Sequence, residues 1–448
     1  MPGRRWRGGH GLRARLSEYP VGQPAITQDR FDWAVGIEDT FIPQLARTTG
    51  RLLDEYALTQ HYERWREDLD LAASLGVKSM RYGIPWYRAN PAPGRFDWSW
   101  TDAVLEHMVE RLGIAPIIDL VHYGCPLWME REFLHPDYPK LIAGYAAAFV
   151  ERYGRLVQSY TPLNEPLVNI RFSGYTGYWP PYRRGWRGWV ALLLPIAEGM
   201  SRTVAAIREL QPEASIVHVE ATASYVTDDP ALEDALRFTQ RRQFLPTDLL
   251  RGRVDEAHPM RTWLTEHGAG QRTLQWLHAH PQDFDVMGVN FYPGMSAQRL
   301  ISADGTARRT AVQGGGAELS RVVRTYAAEY QRPVKVTETS TIGSVRRRAA
   351  WMDESLATVR SLRGEGVPVV GYTWWPMFSL VTWMWRTGGK DLDAYLGHMG
   401  LWDLVNDGRG GLDRRPTPLV DRFRATVADT LGSVGPLAVE SGPNGEAA

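Results

Sequence analysis

The sequence predicts a protein of the α/β class that folds as a single (β/α)8 TIM barrel. Eight short runs of apolar and β-branched residues recur along the 448-residue chain, and amphipathic segments of helical period separate them. Continuous apolar runs, rather than strict alternation, are typical of parallel strands buried on both faces. Eight strand–helix units of this kind predict closure into a barrel.

The strands are predicted from the apolar runs, and the helices between them from start and stop signals. In chain order the predicted strands are WAVGI (33–37), VKSMRYGI (77–84), APIIDLV (115–121), SYTPL (159–163), SIVHVE (215–220), DVMGVN (285–290), PVKVTE (333–338) and VVGYTWW (369–375). Ser99 followed by Asp102 predicts a capping box that opens the helix after the second strand. Pro139 and Gly154 mark the start and the end of the helix after the third strand. Pro162 cannot donate to a ladder, so we expect the fourth strand to end near it.

Residues 27–431 are predicted to form one catalytic barrel. The basic segment 1–26 is expected to be disordered, and the segment 432–448, rich in glycine, proline and small residues, is expected to be flexible. Two connections are unusually long, namely 167–188, which is dense in glycine, proline and aromatic residues, and 239–282. Because long loops on the catalytic face of a barrel build the substrate cleft, we expect both segments there.

The composition indicates which kinds of binding partner are not expected and which cellular compartment is favoured. Lys+Arg and Asp+Glu each total 51, so neither a nucleic-acid nor a membrane partner is predicted. No apolar run is judged long enough to span a bilayer, and the N-terminus lacks the apolar stretch of a secretory signal. A lone cysteine, Cys125, excludes an internal disulfide framework and favours a cytoplasmic location. The oligomeric state, including a homo-oligomer, stays open.

Two glutamates end predicted strands, Glu165 in TPLNEP and Glu338 in VTETS. A carboxylate at the C-terminal end of a barrel strand points into the usual active-site face. The fourth and seventh strands lie on opposite sides of the barrel mouth, so the two carboxyls can face each other. Such a pair is what glycosidic bond cleavage needs, with retention at about 5–5.5 Å separation and inversion at about 6.5–9.5 Å. The alternative is two surface glutamates beside loops.

Further motifs accompany this pair in a fixed order along the chain. They are FDWAVGIEDT (31–40), MRYGIPWYR (80–88), HYGCP (122–126), LNEP (163–166), GYTGYWPP (174–181), GVNFY (288–292), VTETS (336–340) and GYTWWPMFSLVTW (371–383). Over about residues 31–425 the chain resembles glycoside hydrolase family 1, the retaining β-glucosidases and β-galactosidases. LNEP matches the family's acid/base motif, and VTETS is similar to its nucleophile motif.

The resemblance implies catalytic roles. Glu338 would be the nucleophile and Glu165 the acid/base, while Arg81, Tyr292 and Asn290 would support the pair. Arg81 would keep Glu338 ionised through a charge-assisted bond, as nucleophilic attack requires. The alternatives are a structural arginine and a core tyrosine. The mechanism needs no cofactor and no metal, and the sequence shows neither ligand-spaced histidines nor a glycine-rich phosphate loop.

The resemblance also implies residues that bind the sugar, for which a satisfied core histidine or a core aromatic stripe is the alternative. These candidates are Asn164, His122, Trp375, Trp383, Thr382, Glu38 and Asp39. Glu220 ends the fifth strand and is expected to face the site, but it has no family counterpart and no assigned role.

The departures from the family pattern lie around the non-reacting end of the sugar. The substituted positions are Thr382 for a glutamate, Ser379 and Leu380 for Asp-Asn, Thr339 and Ser340 for Asn-Gly, and Tyr123 and Gly124 for Trp-Asp. Because a threonine discriminates hydroxyls less strongly than a carboxylate, a preference for plain glucose or galactose is not expected. The sequence therefore predicts a retaining β-glycosidase of altered sugar specificity, acting on a small-molecule glycoside or an oligosaccharide. A transglycosidase, an inverting hydrolase and a non-catalytic sugar-binding barrel are the alternatives.

Overall fold

Eight parallel strands close into a barrel in the computed structural model, which describes residues 31–431. The barrel strands are β1 (Asp32–Gly36), β2 (Ser79–Gly83), β3 (Ala115–Asp119), β4 (Ser159–Thr161), β5 (Ser215–Ala221), β6 (Val286–Asn290), β7 (Val334–Thr339) and β8 (Val369–Trp374). Each strand pairs with its neighbours in sequence, and β8 pairs with β1 to close the ring. The predicted (β/α)8 barrel is confirmed. The predicted tails, 1–26 and 432–448, lie outside the described residues.

A helix follows each strand and covers the outside of the barrel. These helices are α1 (His61–Ser74), α2 (Ser99–Glu106), α3 (Tyr138–Tyr153), α4 (Gly185–Leu210), α5 (Glu233–Leu250), α6 (Gly316–Tyr330), α7 (Val345–Gly364) and α8 (Leu419–Leu431). Further helical segments of three to nine residues lie in the loops: Glu55–Leu58, Trp86–Ala89, His107–Arg111, Glu132–Leu134, Pro166–Asn169, Ile170–Tyr175, Pro230–Leu232, Arg261–Glu266, Gln271–Ala279, Trp383–Arg386 and Leu392–Tyr395.

Small sheets outside the barrel shape its loops. Antiparallel pairs join Phe41–Ile42 to Leu53–Asp54, Leu380–Val381 to Leu396–Gly397, and Trp402–Asn406 to Leu412–Pro416. After β6 the chain forms a hairpin of Ala297–Ala303 and Thr306–Ala311, called here the β6 hairpin, which pairs with Ser224–Val226 after β5. The sequence did not predict this sheet, which stands beside the C-terminal ends of β5 and β6.

The barrel interior is layered. At its N-terminal end Lys335 of β7 donates to Asp32 of β1, and Ser79 Oγ of β2 donates to the other Asp32 oxygen at 2.5 Å. Valines and an isoleucine from β3, β5, β6 and β8 form a separate apolar cluster, namely Ile117, Val217, Val219, Val286 and Val370. Inward side chains thus fill the barrel, and the charged groups above them belong to the carboxyl ends of the strands.

Local signals predicted some boundaries and missed others. α3 has Pro139 in its first turn and ends at Gly154, and β4 ends at Thr161, immediately before a proline, as expected. The predicted capping box is wrong. Asp97, not Ser99, supplies the accepting oxygen, which takes the Ser99 backbone N–H at 3.1 Å. Asp102 instead pairs with Arg152 of α3 at 2.6 Å, because a neighbouring cation outcompetes the cap.

Two predictions about long segments also need correction. Residues 239–250 belong to α5 rather than to a loop, and of the predicted segment only Thr239, Arg242 and Gln243 line the cavity at the C-terminal ends of the barrel strands. The helix α4 is 26 residues long and apolar enough by composition to span a bilayer, contrary to the expectation that no such run exists. Of its most apolar window, 67% is buried and it packs against α3, the pattern of a core helix.

Candidate active site

A cavity of about 780 Å³ opens at the C-terminal ends of the barrel strands, and both Glu165 and Glu338 line it. A volume of this size is typical of small-molecule sites. Other predicted site residues that line the cavity are Glu38, His122, Asn290, Tyr292, Thr382 and Trp383. The structure therefore brings most of the predicted residues to one place.

Glu338 reaches the cavity because β7 is irregular. The pairing of β7 with β6 shifts between Val336 and Glu338, so the consecutive side chains of Thr337 and Glu338 both face inward. Arg81 Nη1 donates to Glu338 Oε1 at 2.6 Å, and the Tyr292 hydroxyl donates to Oε2 at 2.6 Å. Both carboxylate oxygens are thus held by donors that stabilise a negative charge.

Glu165 is presented by a sharp turn at the end of β4. Its backbone lies in the left-handed region, with φ 44° and ψ 65°, and Pro166 begins the helical turn that follows. Such a conformation is uncommon for a non-glycine residue, and active sites are one of the places where it clusters. Asn290 Nδ2 donates to Glu165 Oε1 at 2.9 Å, and the Tyr123 hydroxyl donates to Oε2.

The two carboxyls share a buried, electrostatically coupled site. Burial raises the pKa of Glu338, and Arg81 opposes that rise most strongly. Burial likewise raises the pKa of Glu165, against the hydrogen bonds from Tyr123 and Asn290. Glu338 thus has a donor with a full charge, whereas the donors to Glu165 are neutral, and the two carboxyls titrate as an interacting pair.

Arg81 connects this pair to a second group of charges behind it. It donates to Asp119 and, at 2.9 Å, to Asn164 Oδ1. His122 Nδ1 lies 2.7 Å from Asp39 and 3.3 Å from Asp119. Burial opposes a charge on His122, but Asp39 and Asp119 raise its pKa well above the usual value.

The cluster of Asp39, Asp119 and His122 has the residue types of a metal site, and its neighbouring charges decide whether it could hold a cation. Asp39, Asp119 and His122 place potential ligand atoms within 4.8 Å of one another. Arg81 donates to Asp119, and His122 Nδ1 lies 2.7 Å from Asp39, so both carboxylates already have partners and this set of groups does not suit a cation. Burial, opposed by His122, raises the pKa of Asp39 to about 6.

Three predicted sugar contacts lie behind the cavity wall. Trp375 is fully buried, stacks at 5.9 Å on His122, carries Arg81 over its face at 4.7 Å, and donates Nε1 to Glu38 at 3.1 Å. Asn164 and Asp39 are fully buried too and do not line the cavity. All three brace residues that do reach the cavity, and their role as direct sugar contacts stays a prediction.

Glu38, Thr382 and Trp383 remain on the cavity surface. Thr40 donates to Glu38 Oε1 at 2.6 Å, which fixes the carboxyl. The Oγ1 of Thr382 is buried and has no hydrogen-bond partner among residues 31–429. Trp383 packs edge-on against Trp179 at 4.9 Å, which holds its ring at the cavity wall.

Glu220 does not face the cavity, contrary to the expectation from its position. It accepts the backbone N–H groups of Leu167 at 3.2 Å and Ala221 at 2.8 Å, and burial raises its pKa well above the usual value. Its neighbours Val217 and Val219 point into the barrel, so alternation along β5 turns Glu220 outward.

Sequence reasoning missed several residues that line the cavity. Tyr123 was noted only as a departure from the family pattern, although its hydroxyl contacts Glu165. Arg171, Arg242 and Arg309 also line the cavity. Nothing in the local sequence of these arginines distinguishes them from surface residues, because they come from three separate elements that only the fold brings together.

The chain is similar in sequence to several curated β-glucosidases. A bifunctional beta-D-glucosidase/beta-D-fucosidase of Bifidobacterium breve is 30% identical over 259 residues, 54% of each chain. The aryl-phospho-beta-D-glucosidase BglC of Bacillus subtilis is 23% identical over 72% of this chain and 78% of its own. A probable inactive beta-glucosidase 14 of Oryza sativa is 31% identical over 28% of this chain and 25% of its own. The chain thus matches a quarter to about half the length of several curated relatives.

Solved structures and a family model extend the likeness over most of the barrel. The family 1 β-glucosidase of Thermotoga maritima superposes with a TM-score of 0.77 at 18% identity, covering 91% of this chain and 99% of that one. At that identity the superposition bears on the fold alone. The model of glycosyl hydrolase family 1 matches residues 33–334, which is more than half of the sequence. The chain therefore belongs to glycosyl hydrolase family 1.

Proposed function

We propose that this protein is a retaining β-glycosidase in which Glu338 is the nucleophile and Glu165 the acid/base. The observation that carries the proposal is the unequal set of donors around the two carboxyls. Glu338 accepts from the cation Arg81 and from Tyr292, whereas Glu165 accepts from neutral groups. One carboxyl is thereby prepared to attack and the other to donate a proton.

The reaction proceeds in two displacements. Glu338 attacks the anomeric carbon, the bond to the leaving oxygen breaks, and that oxygen takes the electron pair and the proton of Glu165. Glu165, now a carboxylate, removes a proton from water, whose oxygen attacks the anomeric carbon and releases Glu338. Arg81 stays bonded to the second oxygen of Glu338 throughout and limits its movement.

The sugar end of the cavity supports a specificity other than plain glucose or galactose. Thr382 borders the cavity where the family pattern has a carboxylate, and Glu38 offers a carboxyl from the segment after β1, the strand that pairs with β8. A relative named for both glucosidase and fucosidase activity supports a glycone with fewer or differently placed hydroxyls. We infer a deoxy sugar or another modified glycone as the preferred substrate.

The test is release of nitrophenol from a panel of nitrophenyl α- and β-glycosides, covering glucosides, galactosides, fucosides, xylosides and glucuronides. We expect turnover of one or two β-glycosides, reduced roughly 10⁴–10⁶-fold in Glu338→Gln because a carboxamide cannot attack carbon. NMR of the first sugar anomer released should give the β form.

Glu220→Gln is the matched control, since it changes a buried glutamate of the neighbouring strand that does not face the cavity. It is expected to keep the activity of the parent protein. An α-anomer as the first product would replace retention with inversion, and turnover that survives in Glu338→Gln would remove the assigned nucleophile.

Transglycosylation is a second candidate, favoured by the apolar wall next to Glu165. This wall is formed by Leu167, Val168, Phe172, Tyr175, Trp186 and Trp189. An alcohol bound there could replace water in the second displacement. The discriminating measurement is the ratio of new glycoside to free sugar as an aryl-alkyl alcohol is titrated into the reaction. A folded protein silent on the whole panel would instead agree with a non-catalytic barrel.

A further inference from the structure

The cavity has a side that the proposed sugar contacts do not use. Glu38, His122 and the pair Thr382–Trp383 follow β1, β3 and β8, whereas the other wall is built by segments that follow β4, β5 and β6. Glu165, which protonates the leaving oxygen, stands between the two. Under the proposed mechanism, the leaving group of the substrate therefore faces the second wall.

Three arginines from separate elements line this second wall. Arg171 belongs to the turn Ile170–Tyr175 after Glu165, Arg242 to α5, and Arg309 to the β6 hairpin. Arg242 lies over the face of Trp186 at 4.6 Å, which holds its guanidinium in the cavity. Arg309 Nη1 lies 3.5 Å from the hydroxyl of Tyr225, another lining residue.

The three guanidinium groups have no carboxylate partner within the described part of the chain, and they act on one another. Burial, and then the charge of Arg309, lowers the pKa of Arg242 to about 10. Burial and Arg309 also lower the pKa of Arg171. By contrast Arg308, the next residue on the same hairpin, pairs with Asp304 at 3.0 Å. This side of the cavity thus concentrates positive charge that no carboxylate among residues 31–429 pairs with.

The rest of the second wall is apolar and in part exposed. Tyr175 is 36% exposed and Met295 is 60% exposed, and both line the cavity with Phe172 and Trp189. The cavity of about 780 Å³ exceeds the volume of a single sugar ring, which leaves room for a second group. Aromatic and methionine side chains of this kind suit a flat apolar group rather than a second hydrated sugar.

We propose that the preferred substrate is a glycoside whose leaving group is an aromatic or other apolar body bearing an anion, such as a carboxylate, sulfate or phosphate. Arg171, Arg242 and Arg309 bind the anion, and the aromatic wall binds the body. Arginine forks match these anions in geometry and charge. This inference rests on the proposed glycosidase function and names the class of leaving group for that same site.

The test compares two glycosides that differ only in charge. One is a 4-nitrophenyl β-glycoside with a carboxymethyl group on the ring, and the other carries the carboxamide; the methylene keeps the two leaving groups electronically alike. We expect kcat/KM of the parent protein to favour the acid about tenfold. The preference should fall toward unity in Arg309→Gln and Arg242→Gln, and in 1 M NaCl.

Arg308→Gln is the matched control, because it removes an arginine of the same hairpin that already has a carboxylate partner. It should retain the preference for the acid. Equal kcat/KM for acid and amide in the parent protein, with both turned over, would overturn the inference and leave the glycosidase function standing. So would a preference that appears only when the anion is a phosphate on the sugar.

A binding experiment separates the inference from the function on which it rests. The intact acid and amide glycosides are titrated into Glu338→Gln by calorimetry, where no turnover occurs. About tenfold tighter binding of the acid, lost when Arg309→Gln is added, supports the anion site even if the parent protein hydrolyses neither glycoside. Equal affinities overturn it.

Discussion

Tyr123 shows how one hydroxyl can adjust the acid/base carboxyl. It donates to Glu165 and receives the Asn164 amide at 3.0 Å, so its position is fixed from both sides. Donation to the ionised form lowers the pKa of Glu165 against the larger effect of burial. Tyr123 therefore helps to decide at which pH the acid loses its proton.

Tyr123→Phe should move the alkaline limb of the kcat/KM profile to higher pH. Without the hydroxyl the Glu165 carboxylate is less stable, so its pKa rises and the acid form persists further, by about half to one pH unit. The measurement is kcat/KM from pH 4 to 10 on the best glycoside of the panel. Tyr145→Phe removes a buried hydroxyl that has no partner in the described residues and should leave the profile unchanged. A shift to lower pH would contradict the assigned donor.

The sequence predicted which residues lie near the site where a motif ends a strand. It did not predict whether their side chains face the cavity or the core. Glu165 and Glu338 could be placed because each closes an apolar run, and Arg81 because it sits within one. Trp375 and Asp39 were placed near the site correctly but on the wrong side of its wall. Sequence position gives the end of a strand, whereas the choice between cavity and core depends on which neighbours pack behind the side chain.

At the scale of elements, one buried ion pair joins three barrel strands. Lys335 of β7 donates to Asp32 of β1, and Ser79 of β2 donates to the same carboxylate. Lys335 is fully buried and Asp32 is 2% exposed. Neither charge can be relieved by water, so each is held in the barrel by the other.

Lys335→Met should destabilise the protein by about 3–5 kcal/mol, because it leaves the Asp32 carboxylate buried without a counter-charge. The measurement is the free energy of unfolding in urea. The double change Asp32→Asn with Lys335→Met should cost less than the sum of the two single changes, since it removes both charges. The exposed pair of Arg237 and Asp234 is the control, and Arg237→Met should barely move the midpoint. Strict additivity in the double variant would argue against the pair.

Elements were predictable in proportion to their buried apolar content. All eight barrel strands were found within two residues at each end because they are continuous apolar runs. The β6 hairpin was missed because its second strand, Thr306–Ala311, is exposed throughout and has no hydrophobic alternation. That hairpin carries Arg309. The hydrophobic pattern of the sequence therefore could not predict the part of the cavity that we propose binds the leaving group.

At the scale of the whole molecule, a balanced composition conceals a strong separation of charge. Lys+Arg and Asp+Glu are equal in number. Yet carboxyl groups gather on the side of the cavity that Glu38 lines, and on the other side lie arginines that have no carboxylate partner among residues 31–429. The net charge of the chain therefore does not predict the charge of the site, because folding brings like-charged residues together even when the two signs are equal in number.

Stability of the whole molecule should depend on a histidine far from this chemistry. His218 of β5 points away from the barrel interior, is 1% exposed, stacks on Phe284 at 5.2 Å, and places Nε2 2.8 Å from Thr247 Oγ1. Burial lowers its pKa from 6.5 to about 4. Above pH 6.5 the ring is neutral in both the folded and the unfolded state. Below that, the unfolded state binds a proton that the folded state refuses, so stability is lost as the pH falls toward 4.

The expected loss follows from the two pKa values. The difference of about 2.5 units corresponds to about 3 kcal/mol once the pH is below 4, and to about 2 kcal/mol at pH 5. Urea unfolding at pH 7.5, 6.0 and 5.0 should show this slope in the parent protein. His218→Gln should lose about 2 kcal/mol less between pH 7.5 and pH 5, because glutamine does not titrate. His280→Gln, at an exposed position, should keep the slope of the parent protein. Parallel pH dependences for the parent protein and His218→Gln would mean that His218 does not carry this part of the acid sensitivity.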